Sequence, residues 1–287
     1  MTMLVNPQTG TSYTEFFFFN PSSLEEIGRD RAKEFSSAEP FPNIVIDNLV
    51  PENRILDRVV GEFPKKEPVN WNTSNRSPAE QGKSTQPKEE CFGPYTRHLM
   101  NQFNSATFLR FLEALTGIKG LISDPYFLGG GLHQTQRGGF LKVHTDFSWY
   151  PELKLRRRLN VLLYLNRDWK EEYGGHVEFW DRGLKRCVKR VLPIFNRCVI
   201  FNTFRYSYHG HPDPLTCPEG VSRKSLAFYY YTAGSPEDQE TKHGTLFMKR
   251  PGEKWSYLRN FMARCTPPIL YDAAIKLDEK IRNIRRI

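Results

Sequence analysis

From residue 126 to residue 232 the chain is a succession of short β-type runs divided by turns, with no helical repeat between them. GGFLKVHTD, RLNVLLYLN, GGHVEFWD, CVKRVLPIF, RCVIFNT and RKSLAFYYYT are rich in Val, Leu, Phe and Tyr, and turn formers separate them. Six strands at this spacing predict an antiparallel sandwich or barrel. That restricts the fold more than any other feature of the chain.

The flanks are of a different texture. Residues 1–125 predict a support of helices and a strand. A helix is expected over Ser23–Phe35 with Ser22 or Ser23 as its cap, because Glu25 and Glu26 follow. A strand follows at Asn43–Ile46, then an amphipathic helix opening at Pro51. Helical periodicity returns over Leu99–Leu115 and stops at Gly117. Residues Lys65–Glu90 are rich in Pro, Ser, Asn, Gln and Lys and predict a long polar surface loop beside the site. Residues 233–287 predict a basic helical extension, in which Leu270, Ala273, Leu277, Ile281 and Ile284 form one apolar stripe that packs against the core. The fold class is therefore α+β, one domain with a double-stranded β-helix (jelly-roll) core over 126–232 and helices packed on its outer face.

Composition narrows the setting. At 287 residues with 39% hydrophobic and 25% charged content, the chain can bury a sizeable core. No apolar run approaches the roughly 18 residues of a membrane span. Phe16–Phe19 is too short for a signal-peptide core, so a cytoplasmic location is expected. Cys91, Cys187, Cys198, Cys217 and Cys265 are odd in number and scattered, which argues against a disulfide framework and a structural zinc site. Of the net charge of +9, +6 falls in residues 249–287, where ten Lys/Arg face four Asp/Glu. A basic tail on a nearly neutral body, with no zinc finger or RNP motif, argues against nucleic acid as a partner.

His144 and Asp146 stand two residues apart at the end of a predicted strand, so both side chains share a face. Alone, the pair fits two metal ligands, an acid/base pair or a polar strand end. Sixty-five residues after His144 the stretch RYSYHGHPDP supplies His209 and His211, and Arg223 follows on the next strand. Two histidines and a carboxylate in this spacing match the facial triad of non-haem Fe(II) oxygenases. Three ligands on one face leave positions for a bidentate co-substrate and for O2. A planar guanidinium on the following strand suits a distal carboxylate.

The ordered set HTD, RRLNVLLYLNRDW, GGHVEFWD, FNRCVIFNT, SYHGHPDP and RKSLAFYYYT resembles the prolyl-4-hydroxylase-like branch of the 2-oxoglutarate/Fe(II)-dependent dioxygenases over 129–232. The resemblance implies that His144, Asp146 and His209 bind Fe(II), with His209 preferred to His211 because a turn toward proline follows it. It implies that Arg223 binds the distal carboxylate of 2-oxoglutarate, with Ser225 as a hydroxyl partner. The implied reaction is O2-dependent hydroxylation of a C–H bond with release of succinate and CO2. Asp146 fills the position that halogenating relatives leave open, so hydroxylation is the expected outcome. Two positions depart from the pattern. Many relatives have a tyrosine on the first core strand, where this chain offers Gln134, Thr135 or Gln136, and Gln134 is the candidate second anchor. Many also have a tyrosine directly before YLN, where this chain has Leu163.

Other residues carry weaker expectations. His176 and His133 read as structural, and Trp149 and Tyr150 as packing or substrate-stacking aromatics. The run Lys154–Arg158 lies close enough to the triad to recognise an anionic group. The substrate is a small molecule or a prolyl or other residue of a protein. Two competing classes are a catalytically inactive binding module of the same fold and a basic-tailed nucleic-acid or membrane-surface binder.

Overall fold

In the computed structural model, which describes residues 18–64, 71–74, 79–235 and 242–253, the support elements come first. They are α1 (Pro21–Ser37), β1 (Asn43–Asp47), α2 (Asn53–Glu62), β2 (Asn72–Ser74), β3 (Glu80–Gln86), α3 (Pro94–Phe103) and α4 (Ala106–Thr116). The core follows as β4 (Ile122–Ser123), β5 (Gly131–Thr145), β6 (Trp149–Tyr150), β7 (Leu155–Tyr164), β8 (Val177–Trp180) and β9 (Cys187–Val191). It is completed by β10 (Arg197–Asn202), β11 (His209–His211), β12 (Ser222–Ala233) and β13 (Leu246–Phe247). The main hydrogen-bonded path runs β1-β10-β7-β12-β5-β11-β8-β9, and β3 and β13 add further pairing to β5. The pairs are antiparallel, and the sheet curls into the nearly closed barrel of a jelly roll.

Strand alternation decides which residues meet the helices and which meet the cavity. On β7, Leu159, Val161 and Leu163 join the helix-facing core, and on β12 Leu226, Phe228 and Tyr230 do the same. Their neighbours Leu162, Tyr164, Ala227 and Tyr229 face the inside of the curl. Both faces are covered, which is why RLNVLLYLN reads as an almost continuous apolar run. Phe228 stacks on Phe103 of α3 at 4.4 Å between centroids, and the Tyr230 hydroxyl donates to the Phe103 carbonyl at 2.8 Å. Burying each such ring contributes about 2–3 kcal/mol, so the helix layer is held to the sheet mainly by apolar area.

Three expectations about the support change. The cap of α1 is Asn20, whose side chain accepts from the Ser23 amide at 3.0 Å while Pro21 fills the first helical position. The single helix expected over Leu99–Leu115 is two, because Asn104 closes α3 and Ser105 caps α4 by accepting from Phe108 N. The polar segment Lys65–Glu90 is not one loop: β2 and β3 pair with each other, and β3 pairs with β5. Its composition hid the strand because EQGKSTQ, paired with β5 on one side and with the short β2 on the other, borders a polar cavity through Lys83, where no apolar alternation is required. The expected C-terminal helical stripe and Cys265 lie outside the described residues. The other four cysteines are free thiols. No helix among the described residues is long and apolar enough to cross a membrane.

Candidate metal centre

β11 runs antiparallel to β5 with His209 opposite His144, so two side chains 65 residues apart become cross-strand neighbours. Their rings stand 4.4 Å apart between centroids. Asp146 follows the end of β5 and completes a cluster whose ligand atoms all lie within 4.8 Å of one another. The His144 Nε2 is 3.6 Å from one carboxylate oxygen of Asp146, and the His209 Nε2 is 3.4 Å from the other.

The tautomers suit a metal. The Nδ1 of His144 lies 2.9 Å from the Lys142 carbonyl, and that of His209 lies 2.9 Å from the Ser207 carbonyl. A carbonyl can only accept, so each Nδ1 carries the proton and each Nε2 keeps its lone pair toward the cluster. Burial, together with the neighbouring His144, pushes the His209 pKa down to about 4, which leaves the ring neutral. Burial by itself raises the pKa of Asp146, but the Arg157 charge leads the opposing effects that hold the carboxyl well below its usual range. Two imidazoles and one carboxylate are the donor set a divalent transition metal requires.

The same cavity holds Arg223, Ser225, His133, Thr135, Lys83 and His211. Arg223 extends from β12 and is 6% exposed. Its Nε donates to the Gly175 carbonyl at 2.7 Å and its Nη2 to the Tyr164 hydroxyl at 3.1 Å. Both partners are neutral, and no carboxylate of the described residues pairs with it. A buried cation without a counter-charge is costly unless an anion arrives. His133 and His211 are neutral beside it. Burial, reinforced by the Lys83 charge, lowers the pKa of His133 to about 3. Burial and Arg223 hold that of His211 well below its usual value. The buried Nδ1 of His211 has no hydrogen-bond partner among the described residues.

Residues 130–231 match the family model described as the 2OG-Fe(II) oxygenase superfamily, and that stretch contains the triad and Arg223. Over that stretch the chain is similar to the 2OG-Fe(II) oxygenase superfamily. Fe(II) and 2-oxoglutarate, for which this oxygenase superfamily is named, are the groups the donor set and the buried arginine fit. A curated relative, the prolyl 3-hydroxylase OGFOD1 of Mus musculus, is 30% identical over 79 residues, 26% of this chain and 14% of its own. The chain thus matches about one seventh of that relative's length. A crystal structure of a Pseudomonas putida prolyl-4-hydroxylase is similar at TM-score 0.50 and 14% identity, covering 72% of this chain and 99% of that one. A Trichoplax adhaerens prolyl hydroxylase, in complex with a hypoxia inducible factor oxygen degradation domain peptide fragment, gives TM-score 0.55 at 14% identity. It covers 82% of this chain and 98% of that one, and both likenesses show the fold. The three proteins named here are prolyl hydroxylases.

The structure brings together His144, Asp146, His209, Arg223 and Ser225 and leaves Gln134 out. Gln134 lies between His133 and Thr135, whose side chains face inward, so alternation turns it away, and its amide donates to the Ser222 hydroxyl at 2.7 Å. His211, the alternative third ligand, lines the cavity but stands outside the three-residue cluster. His133 stands in the cavity wall with its Nε2 3.0 Å from the Gly129 carbonyl, while His176 is satisfied outside the cavity by Glu171 at 2.9 Å. Tyr150 packs on Tyr231. Of the run Lys154–Arg158, Arg157 turns inward, and the anion it meets is the chain's own Asp146 at 3.3 Å. Sequence reasoning missed Tyr164: it looked for a tyrosine at position 163, which faces the helices, whereas the Tyr of YLN itself lies inside the curl and accepts from Arg223. It also missed Lys83, because the strand that carries it was not legible.

Proposed function

We propose that the protein is an Fe(II)- and 2-oxoglutarate-dependent dioxygenase that hydroxylates a C–H bond of a small molecule or of a prolyl or other residue in a peptide. One observation carries the reading: a three-donor cluster shares a cavity with a buried arginine that has no carboxylate of its own. His144 Nε2, Asp146 and His209 Nε2 would hold the iron. When bound, Fe(II) with 2-oxoglutarate and O2 supplies the oxidising chemistry that places an oxygen atom on the substrate carbon and leaves succinate and CO2.

The chain's own residues do the rest. Arg223 binds the distal carboxylate of the co-substrate, and Tyr164, already bonded to Arg223, fixes the fork that receives it. Gly175 anchors the other edge of the guanidinium through its carbonyl. Ser225 and Thr135 present hydroxyls on the same wall, and neutral His133 and His211 add polar contacts without a second buried charge. The ring of Phe247 on β13 covers His144 at 5.6 Å between centroids and shields the cluster from water. A peptidyl prolyl substrate is supported by the prolyl hydroxylases among the relatives.

The test is Fe(II)-dependent formation of succinate from 2-oxoglutarate, with 2-oxoglutarate binding followed by calorimetry in the presence of Mn(II). Wild type should do both. His144→Ala should lose turnover, and Arg223→Leu should lose most of the affinity for 2-oxoglutarate while retaining metal. Wild-type protein that is folded yet binds neither metal nor 2-oxoglutarate overturns the proposal and leaves the binding-module class.

A further inference from the structure

We infer that Asn160 and Arg157 are positioning residues that hold one oxygen of Asp146 and thereby make it a one-oxygen ligand; the inference rests on the metal reading above. Asn160 Nδ2 donates to Asp146 Oδ2 at 2.7 Å, and Arg157 Nη2 lies 3.3 Å from the same oxygen. Arg157 also donates to Asn160 Oδ1 twice, from Nε at 3.0 Å and from Nη2 at 2.6 Å. The direction of the chain is therefore fixed. A flipped Asn160 amide would set its oxygen against the carboxylate and its NH2 against the guanidinium, both repulsive.

The first link is itself immobilised. The Arg157 side chain is fully buried. Its guanidinium lies 3.4 Å from the centre of the Tyr229 ring and 4.4 Å from that of Phe147. The Tyr229 hydroxyl donates to the Gly129 carbonyl at 2.8 Å, which fixes the ring beneath the cation. The cation is held by aromatic faces and two acceptors, Asn160 and Asp146.

A backbone irregularity makes the arrangement possible. Residues three apart on a regular strand point to opposite faces. The register between β7 and β12 shifts here: Tyr230 is opposite Leu159, but Tyr231 is opposite Arg157, so Arg158 is the extra residue of a β-bulge. The bulge turns Arg157 to the same face as Asn160, while Arg156 and Arg158 remain partly exposed. Bulges beside functional sites re-aim side chains in this way. A bonded Oδ2 leaves Oδ1 as the metal ligand and keeps the carboxylate from swinging into a two-oxygen grip. Such a grip would occupy a position that the co-substrate or O2 needs.

The experiment titrates metal-free protein with Co(II) and records affinity and the visible ligand-field bands, whose intensity reports coordination number. Wild type, Asn160→Leu, the double variant Arg157→Met/Asn160→Leu and His144→Ala are compared, with folding followed by circular dichroism. The double variant removes the buried cation together with its acceptor, so it remains informative if Asn160→Leu fails to fold. Partners behind a ligand are worth roughly 10–100-fold in metal affinity. The expected result is a loss in that range with a weakened ligand-field spectrum in the Asn160 variants. Equal affinity and an unchanged spectrum in a folded variant overturn the inference while leaving the metal site standing. No Co(II) binding by wild type overturns the metal reading instead, and the His144→Ala control separates site binding from surface binding.

Discussion

Acidification should destabilise the metal-free protein through His133, and the size of the loss follows from its burial. His133 is 9% exposed, and its Nε2 lies 3.0 Å from the Gly129 carbonyl. Burial, with the Lys83 charge second, lowers its pKa to about 3 from the 6.5 of the unfolded chain. Below pH 6.5 the unfolded chain binds a proton that the folded chain refuses until about pH 3. Stability therefore falls as pH drops through this window, with nothing lost above it. At pH 5 the difference amounts to about 2 kcal/mol for this one residue. That is a sizeable fraction of the ~5–15 kcal/mol that holds a domain folded. Urea unfolding at pH 7.5 and pH 5.0, in EDTA, measures the loss in wild type and in His133→Gln, whose amide can still donate to Gly129. Wild type should lose about 2 kcal/mol more than the variant over the same interval. Equal losses would show that folded His133 accepts a proton readily, and the argument from burial would fail.

Two further substitutions follow from backbone positions. Gly175 has φ +74°, and a Cβ there would stand 2.7 Å from a Leu215 methyl and 3.0 Å from the Arg223 Cδ. Gly175→Ala should displace Arg223 and weaken 2-oxoglutarate binding at least about tenfold (about 1.4 kcal/mol) with metal affinity unchanged, as calorimetry with Mn(II) would record. Asn196, at φ +56°, ties β10 to the start of α2: its side chain accepts from Val50 N at 3.1 Å and donates to Val50 O at 2.8 Å and Asn53 Oδ1 at 2.9 Å. Asn196→Ala should cost about 2–4 kcal/mol in urea unfolding, and a loss under 1 kcal/mol would refute the account.

The sequence by itself determined the strand core and the chemistry of the residues it presents. Alternation and turn spacing are local properties, so six strands and their antiparallel pairing were legible. His144, Asp146, His209 and Arg223 could be singled out because each sits at a fixed place in an ordered strand pattern. Gln134 misled because position within a motif does not reveal which face a strand turns inward, and Tyr164 was passed over for the same reason by one residue. The strand at Glu80–Gln86 stayed hidden because its polar side chains match a polar cavity that only the assembled barrel creates. What only the tertiary structure decided is the surrounding of the site. KLRRR reads as a basic run placed to recognise an anionic group, yet one extra residue in β7 turns its middle arginine under Tyr229 and onto Asn160 and Asp146. Cross-strand register sets that contact, and register is a property of two strands together, which no single stretch of sequence contains.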